Sequence, residues 1–204
     1  MSDITLARDL VPDRYATLPM LRLFFPLIDT NDRARRWSSY LADGMELAGS
    51  TDWSELWNRH SKSDGAVDAA PIPARGRLDP LTARAFTDAL MLQASPDTVL
   101  HCLCWEGYGS VSPDSGGPTV HQFGHDFVSS DLTIRQLMQK ATSDRIPEFA
   151  HDDLGNFAWG TNLYPDSLII ASAEPIYRAL INDPRLDTVT IRKQSDLLPV
   201  SSGD

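Results

Sequence analysis

The run Val99-Leu100-His101-Cys102-Leu103-Cys104-Trp105, continuing into Glu106-Gly107-Tyr108-Gly109, decides how this chain is read. Its near-continuous apolar character predicts a strand buried on both faces, with Leu100, Cys102 and Cys104 in the core. The strand stops abruptly at Glu106-Gly107-Tyr108-Gly109, and ligands of α/β proteins gather where such strands end. Trp105, Glu106 and Tyr108 are therefore candidate binding residues: a carboxylate placed to act as general base or ligand, between two aromatic surfaces and beside glycines. The structural alternative is a Glu106 carboxylate that pairs with an arginine or caps loop amides. Cys102 and Cys104 are two apart on a strand, so their side chains point the same way and diverge poorly into disulfide geometry. They are expected as buried free thiols.

Downstream, Gly107 to Thr119 is glycine-rich and reads as a loop, Val120 to Val128 as a partly exposed strand, and Asp131 as the cap of a short helix carrying Leu132, Ile134, Leu137 and Met138. The last third predicts a strand at Phe157-Ala158-Trp159-Gly160, a turn at Tyr164-Pro165-Asp166-Ser167, a strand at Leu168-Ile169-Ile170-Ala171, a helix from Pro175 to Ile181 and an edge strand at Thr188-Val189-Thr190-Ile191. Upstream, Asp79-Pro80 starts a helix with an apolar face of Leu81, Ala85, Phe86, Ala89 and Leu92. Ser61 to Arg77 lacks periodicity and reads as a loop or linker. Asp29-Thr30-Asn31-Asp32 predicts a helix start followed by Trp37, Tyr40, Leu41 and Met45 at helical spacing, and Trp53 and Trp57 share a face if their segment is helical. The expected fold is α+β, a single domain with a mainly antiparallel sheet and packed helices. Residues 1–60 are expected as an N-terminal helical segment, 61–77 as a loop or linker, and 78–200 as the α+β core.

The helix of Leu81 to Leu92, the strand ending in Cys104-Trp105-Glu106-Gly107-Tyr108-Gly109, and the Leu163-Tyr164-Pro165-Asp166 turn before a strand, a helix and a last strand resemble a group of uncharacterised actinobacterial proteins. That group carries Leu-Trp-Asp/Glu-Gly-Trp/Tyr-Gly in the middle and a Trp-Pro-x-Asp turn near the end. The likeness spans roughly residues 78 to 192 and implies no activity. Tyr164 stands where the group has the turn tryptophan, and Ser172-Ala173-Glu174 replaces a segment that tends to be acidic and glycine-rich.

Composition narrows the function classes. The chain has 204 residues and a formal net charge of −10, with 42 % hydrophobic and 23 % charged residues, as in an ordinary soluble globular protein. The acidic excess is spread along the chain and forms no basic stripe, which argues against nucleic acid and is compatible with a basic protein partner. The apolar stretch from Leu18 to Ile28 is broken by Pro19, Arg22 and Pro26, too short and interrupted for a membrane span or signal peptide. A cytoplasmic location is expected.

Catalytic sets are sparse. His121 and His125 with Asp126, and His151-Asp152-Asp153, contain metal-ligand types, yet four-apart histidines share a face only on a helix, and Gly124 among aromatic residues suggests a strand or loop. No metal and no cofactor are expected. His101 alternates away from Cys102 and Cys104, and Ser110-Val111-Ser112 lacks the Gly-x-Ser-x-Gly elbow, so no nucleophile is assigned. Trp37, Trp53 and Trp57 fit either the core or a partner-binding surface. The expectation is a non-catalytic cytoplasmic binding or regulatory protein, immunity-like in acting on another protein, with His121 joining Trp105, Glu106 and Tyr108 as binding residues. The competing expectation is a hydrolase-type enzyme using Glu106 and His121 in a cleft near the Gly107–Thr119 loop. Convergence of Glu106, His121, His125 and His151 on one pocket favours the enzyme, and scatter favours the binder.

Overall fold

Strand β5, Val99–Trp105, lies between β7 (His125–Thr133) and β8 (Phe149–Asp152), antiparallel to both. A computed structural model describes residues 6–64, 69–105, 107, 117–141, 145–162 and 165–192. These residues form an eight-stranded antiparallel sheet. Its spatial order runs from β11 (Thr188–Ile191) through β1 (Met20–Phe24), β10 (Ser167–Ser172), β9 (Phe157–Gly160), β8, β5 and β7 to β6 (Thr119–Gln122). A short three-stranded sheet pairs β2 (Leu27–Ile28) with β3 (Ala34–Arg35) and β4 (Ile72–Pro73). With the helices described next, this is a single α+β domain with a mainly antiparallel sheet.

The two faces of the large sheet are covered unequally. On one, Leu21, Leu23, Leu100, Cys102, Trp159 and Ile170 form one continuous core with α2 (Pro80–Leu90), α3 (Ile134–Lys140) and α4 (Glu174–Asn182). On the other, Ala158, Ile169 and Ala171 lie against the 3₁₀ turns Ala7–Leu10 and Asp13–Tyr15. Further along that face, Phe24 packs with Trp37 and with Leu56 of α1 (Trp53–Asp64). The cover thins over β5 and β8, so His101, Leu103, Trp105, Phe149 and His151 all stay half-buried on one side of the sheet. This unequal cover corrects the expectation of a strand buried on both faces. Leu100 and Cys102 are buried at 0 % and 1 % exposure, whereas Cys104 is only half-buried near the strand end.

Local signals explain which elements match the sequence reading. The Asp79 carboxylate accepts from the backbone N–H of Leu81 and Thr82 at 3.0 and 3.3 Å and so starts α2 at Pro80. Asp131 does not start a helix: β7 runs through it, and Thr133 caps α3 in a reciprocal capping box with Gln136. The first sixty residues hold more strand than the helical reading expects. Asp29 turns the chain back, its carboxylate accepting from the N–H of Asn31 and Arg33 at 2.9 Å each, and Asp32 sits at φ 59°. The stretch thus becomes a turn between β2 and β3, and Trp37–Tyr40 is only a 3₁₀ turn. Nor is 61–77 uniformly loop, since α1 reaches Asp64 and Ile72–Pro73 is β4. Strand β8, which the sequence reading did not place, carries His151.

The tryptophans divide. Trp37 is fully buried and donates from Nε1 to the Phe25 carbonyl at 2.7 Å, which makes it a core residue of the smaller cluster. Trp53 and Trp57 are half-buried and stack edge-on with Tyr40, and Trp53 Nε1 donates to the Pro71 carbonyl at 2.8 Å. No helix among the described residues is long and apolar enough to cross a membrane.

Desolvation pushes the Cys102 thiol pKa well up, and its Sγ donates to the Leu100 carbonyl at 3.5 Å. Native thiol titration is therefore expected to leave Cys102 unmodified until the protein unfolds. Cys102→Ser should cost about 1–3 kcal/mol in a urea melt, because the more polar hydroxyl enters an apolar site. Rapid modification of Cys102 in the native state would contradict the burial.

Candidate functional site

The thinly covered part of the sheet is where polar side chains collect among the described residues. The register of β5 on β8 sets His101 opposite His151, with ring centroids 5.2 Å apart, and β7 brings Asp131 opposite His101. His101 Nδ1 lies 2.9 Å from Asp131 Oδ1 and Nε2 lies 3.0 Å from Asp153 Oδ2. A carboxylate at each ring nitrogen favours the doubly protonated ring. The Asp153 hydrogen bond first, and then Asp131, raises the His101 pKa, and the same contact lowers that of Asp153.

His151 is held in the opposite state. Arg14 Nη2 lies 2.7 Å from His151 Nδ1 and donates to the Asp152 carbonyl at 3.0 Å. A guanidinium can only donate, so Nδ1 accepts and the ring proton resides on Nε2. That contact outweighs the longer 3.4 Å approach of Nδ1 to the Asp152 carbonyl. Burial first, and then the Arg14 charge, pushes the His151 pKa down. Two neighbouring imidazoles are thus driven apart, His101 toward the cation and His151 toward the neutral ring.

The Asp13–Tyr15 turn that delivers Arg14 is fastened from below. Asp152 is fully buried, and its carboxylate accepts from the N–H of Asn156 at 3.0 Å and of Phe157 at 3.2 Å. The Tyr15 hydroxyl donates to the Asp152 carbonyl, and burial together with Asp152 pushes the phenol pKa up to about 12.

Beside the histidine pair is a pocket of about 270 Å³. Leu10, Val11 and Pro12 of the N-terminal turn line one side, Leu103 and Phe149 come from the sheet, and Phe123 comes from the β6–β7 hairpin tip. Phe123 and Phe149 stack with centroids 5.3 Å apart and ring planes 29° apart. The hairpin turns on two residues, Phe123 at φ 54° and Gly124 at φ 77°, the left-handed geometry of a type I′ turn. Asparagine or glycine is usual at the first of these positions. A phenylalanine there carries strain on the order of 1–3 kcal/mol, a cost that concentrates at functional sites. A larger recess, about 730 Å³, lies between residues 41–50 and β11, but it is open to solvent and lined by no histidine or cysteine among the described residues.

The sequence-derived candidates are distributed differently. Trp105 is half-buried at the end of β5, donates its N–H to Glu148 Oε2 at 2.9 Å and meets the His125 ring edge-on at 5.8 Å. Glu106 and Tyr108 lie outside the described residues, as does most of the Gly107–Thr119 loop. His121 pairs with Asp126 at 2.8 Å on the exposed hairpin, its side chain 71 % accessible. Strand alternation puts it on the opposite face of the sheet from His101 and His151. The three histidines singled out as metal-ligand types therefore scatter: His121 on one face, His125 with Trp105, and His151 with His101. No group of three or more histidine, cysteine, aspartate or glutamate side chains among the described residues is placed to hold a metal ion.

Sequence reasoning missed Arg14, Phe123, Phe149 and the pairing of His101 with His151. The period-2 alternation of β5 could have put His101, Leu103 and Trp105 on a shared face. Nothing local announces that β8 is the neighbour. No protein family, curated protein or solved structure matches the chain.

Proposed function

We propose that this chain is a non-catalytic binding protein and that the open-face pocket bounded by Leu10, Leu103, Phe123, Phe149 and His151 is its recognition surface. The observation that carries the reading is the pocket itself, a concave, mainly apolar site with a few polar groups at its border. The histidines support binding over turnover. Both His101 nitrogens are occupied by carboxylates, His151 Nδ1 is occupied by Arg14, and no hydroxyl or thiol among the described residues hydrogen-bonds either ring. The hydrolase reading would require His121 to work from the opposite face of the sheet. With a net charge of −10, a basic partner protein is favoured, and an immunity-like or regulatory role in the cytoplasm accords with that charge.

The test is Leu103→Lys, which sets a charge in the pocket at a half-buried position. Capture of the partner from the native host should fall at least tenfold, while His121→Ala leaves capture intact and both variants keep the wild-type melting temperature. Undiminished capture by a folded Leu103→Lys protein would remove the pocket from the recognition surface.

A further inference from the structure

We propose that the pocket accepts one neutral aromatic ring with a hydrogen-bonding edge, the indole of a partner's tryptophan, clasped beneath the Phe123 hairpin tip. This rests on the binding reading above and names what enters the site.

Three observations select that ligand. The first is size. A volume of about 270 Å³ exceeds the ~150 Å³ cavity that holds a benzene ring, yet falls below the roughly 300–1,000 Å³ of pockets for whole small-molecule ligands. One bicyclic ring matches it.

The second is charge. The ionic groups on the lining are paired, His101 with Asp131 and Asp153 and Asp9 with Arg8 at 3.8 Å, and Arg14, whose guanidinium donates to the neutral His151 ring and the Asp152 carbonyl, is not part of the lining. The side-chain polar groups left on the lining are neutral. They are the Gln122 amide and the Ser129 hydroxyl, neither with a side-chain hydrogen bond among the described residues, and the His151 Nε2–H. The lining itself offers a charged ligand no unpaired counter-ion, and a purely aliphatic ligand would leave these neutral groups unmatched. An indole N–H can donate to the Gln122 carbonyl oxygen while the ring lies against carbon.

The third is the roof. Phe123 is held in a backbone region that phenylalanine rarely adopts, and that conformation stacks its ring on Phe149 at the lining. Aromatic faces stacked this way offer an offset or edge-to-face site to a further ring. A turn selected for stability alone would place asparagine or glycine at this position.

The experiment titrates ¹⁵N-labelled full-length protein with N-acetyl-L-tryptophanamide, followed by NMR. Saturable shifts at the amides of Leu103, Gln122, Phe123 and Phe149, with Kd in the millimolar range and at least tenfold weaker binding of N-acetyl-L-leucinamide, are the expected result. A Lys-Trp-Lys tripeptide, blocked at both ends, should bind more tightly than free indole if the ring arrives on a basic polypeptide. Free indole binding as tightly as the tripeptide would overturn the side-chain source. Phe123→Gly should weaken N-acetyl-L-tryptophanamide binding tenfold or more without lowering the melting temperature, because glycine relaxes the turn. Should that variant fail to fold, Gln122→Ala, which leaves the backbone pairing of β6 intact, is expected to weaken binding several-fold. Absence of saturable shifts, or leucinamide binding as tightly as tryptophanamide, overturns the inference. If Leu103→Lys still abolishes partner capture in that case, the binding reading stands without the aromatic ligand; if capture is also undiminished, both fail.

Discussion

Arg22→Met is expected to destabilise the protein by roughly 3–5 kcal/mol, the cost of removing one member of a buried ion pair. Arg22 is 1 % exposed in the middle of β1, yet each of its guanidinium nitrogens has an acceptor. Nε donates to Ser167 Oγ at 2.8 Å, Nη1 to the Gly49 and Thr51 carbonyls at 2.8 and 2.9 Å, and Nη2 to both Asp166 oxygens at 3.0 and 3.1 Å. Its guanidinium carbon also lies 4.4 Å from the Phe24 ring centroid. One side chain therefore ties the 49–51 loop, the turn before β10 and β1 together. Methionine fills part of the volume and leaves those acceptors without their donor. Because Asp166 is 22 % accessible and can recover some hydration, the loss belongs nearer the lower bound. At about 2–4 °C per kcal/mol for a chain of this length, the melting temperature should drop by roughly 6–15 °C. Arg22→Lys should fall between, since an ammonium cannot serve every one of these acceptors, and adding Asp166→Ala to Arg22→Met should cost less than the two separate losses combined. A change below about 1 kcal/mol for Arg22→Met would refute this role.

Arg22 also shows where the sequence was legible. Elements whose cause is local were readable: Asp79-Pro80 starts α2, the apolar run at 99–105 is β5, and Pro175 opens the helix before β11. In the Leu18–Ile28 stretch, Arg22 and the flanking prolines read as interruptions, although they bound and anchor a strand paired on both sides, by β10 and β11. A buried arginine becomes intelligible only once residues 144 positions away are known to meet it. Asp29 failed for a related reason, because an aspartate before a polar turn caps a helix or closes an Asx turn equally well, and only the pairing of β2 with β3 decides. The candidate site was less legible than the fold. His101, His151 and Asp131 come from β5, β8 and β7, which adjoin by sheet order, while Arg14 comes from a turn near the N-terminus. Phe123 could have drawn attention through Phe-Gly at a hairpin tip, since a Gly in second place signals a two-residue turn whose first residue must also turn left-handed.

The fastening beneath the site supplies the second large effect. Asp152→Ala is expected to cost about 2–4 kcal/mol, because it leaves the N–H groups of buried Phe157 and half-buried Asn156 without their carboxylate acceptor. Asp152→Asn, which retains one carbonyl oxygen, should lose about half as much. The same substitution has a second, separable consequence. Asp152 is also the backbone anchor of Tyr15 and Arg14, so loosening the β8–β9 turn loosens the guanidinium on His151. Burial and that guanidinium keep the His151 pKa below its ordinary value in the folded protein. The unfolded chain therefore binds a proton more readily there, and His151 removes stability as pH falls below about 6.5. In Asp152→Ala the His151 pKa should move up toward the ordinary imidazole value in an NMR titration, with a correspondingly smaller loss of stability on that acid limb. His101 draws its raised pKa first from Asp153 in that same turn and then from Asp131 on β7, so its pKa should move down toward the ordinary imidazole value while the Asp131 contact retains part of the rise. A variant that loses stability while the two histidines titrate as before would show that Asp152 supports the turn without setting the charge state of the site.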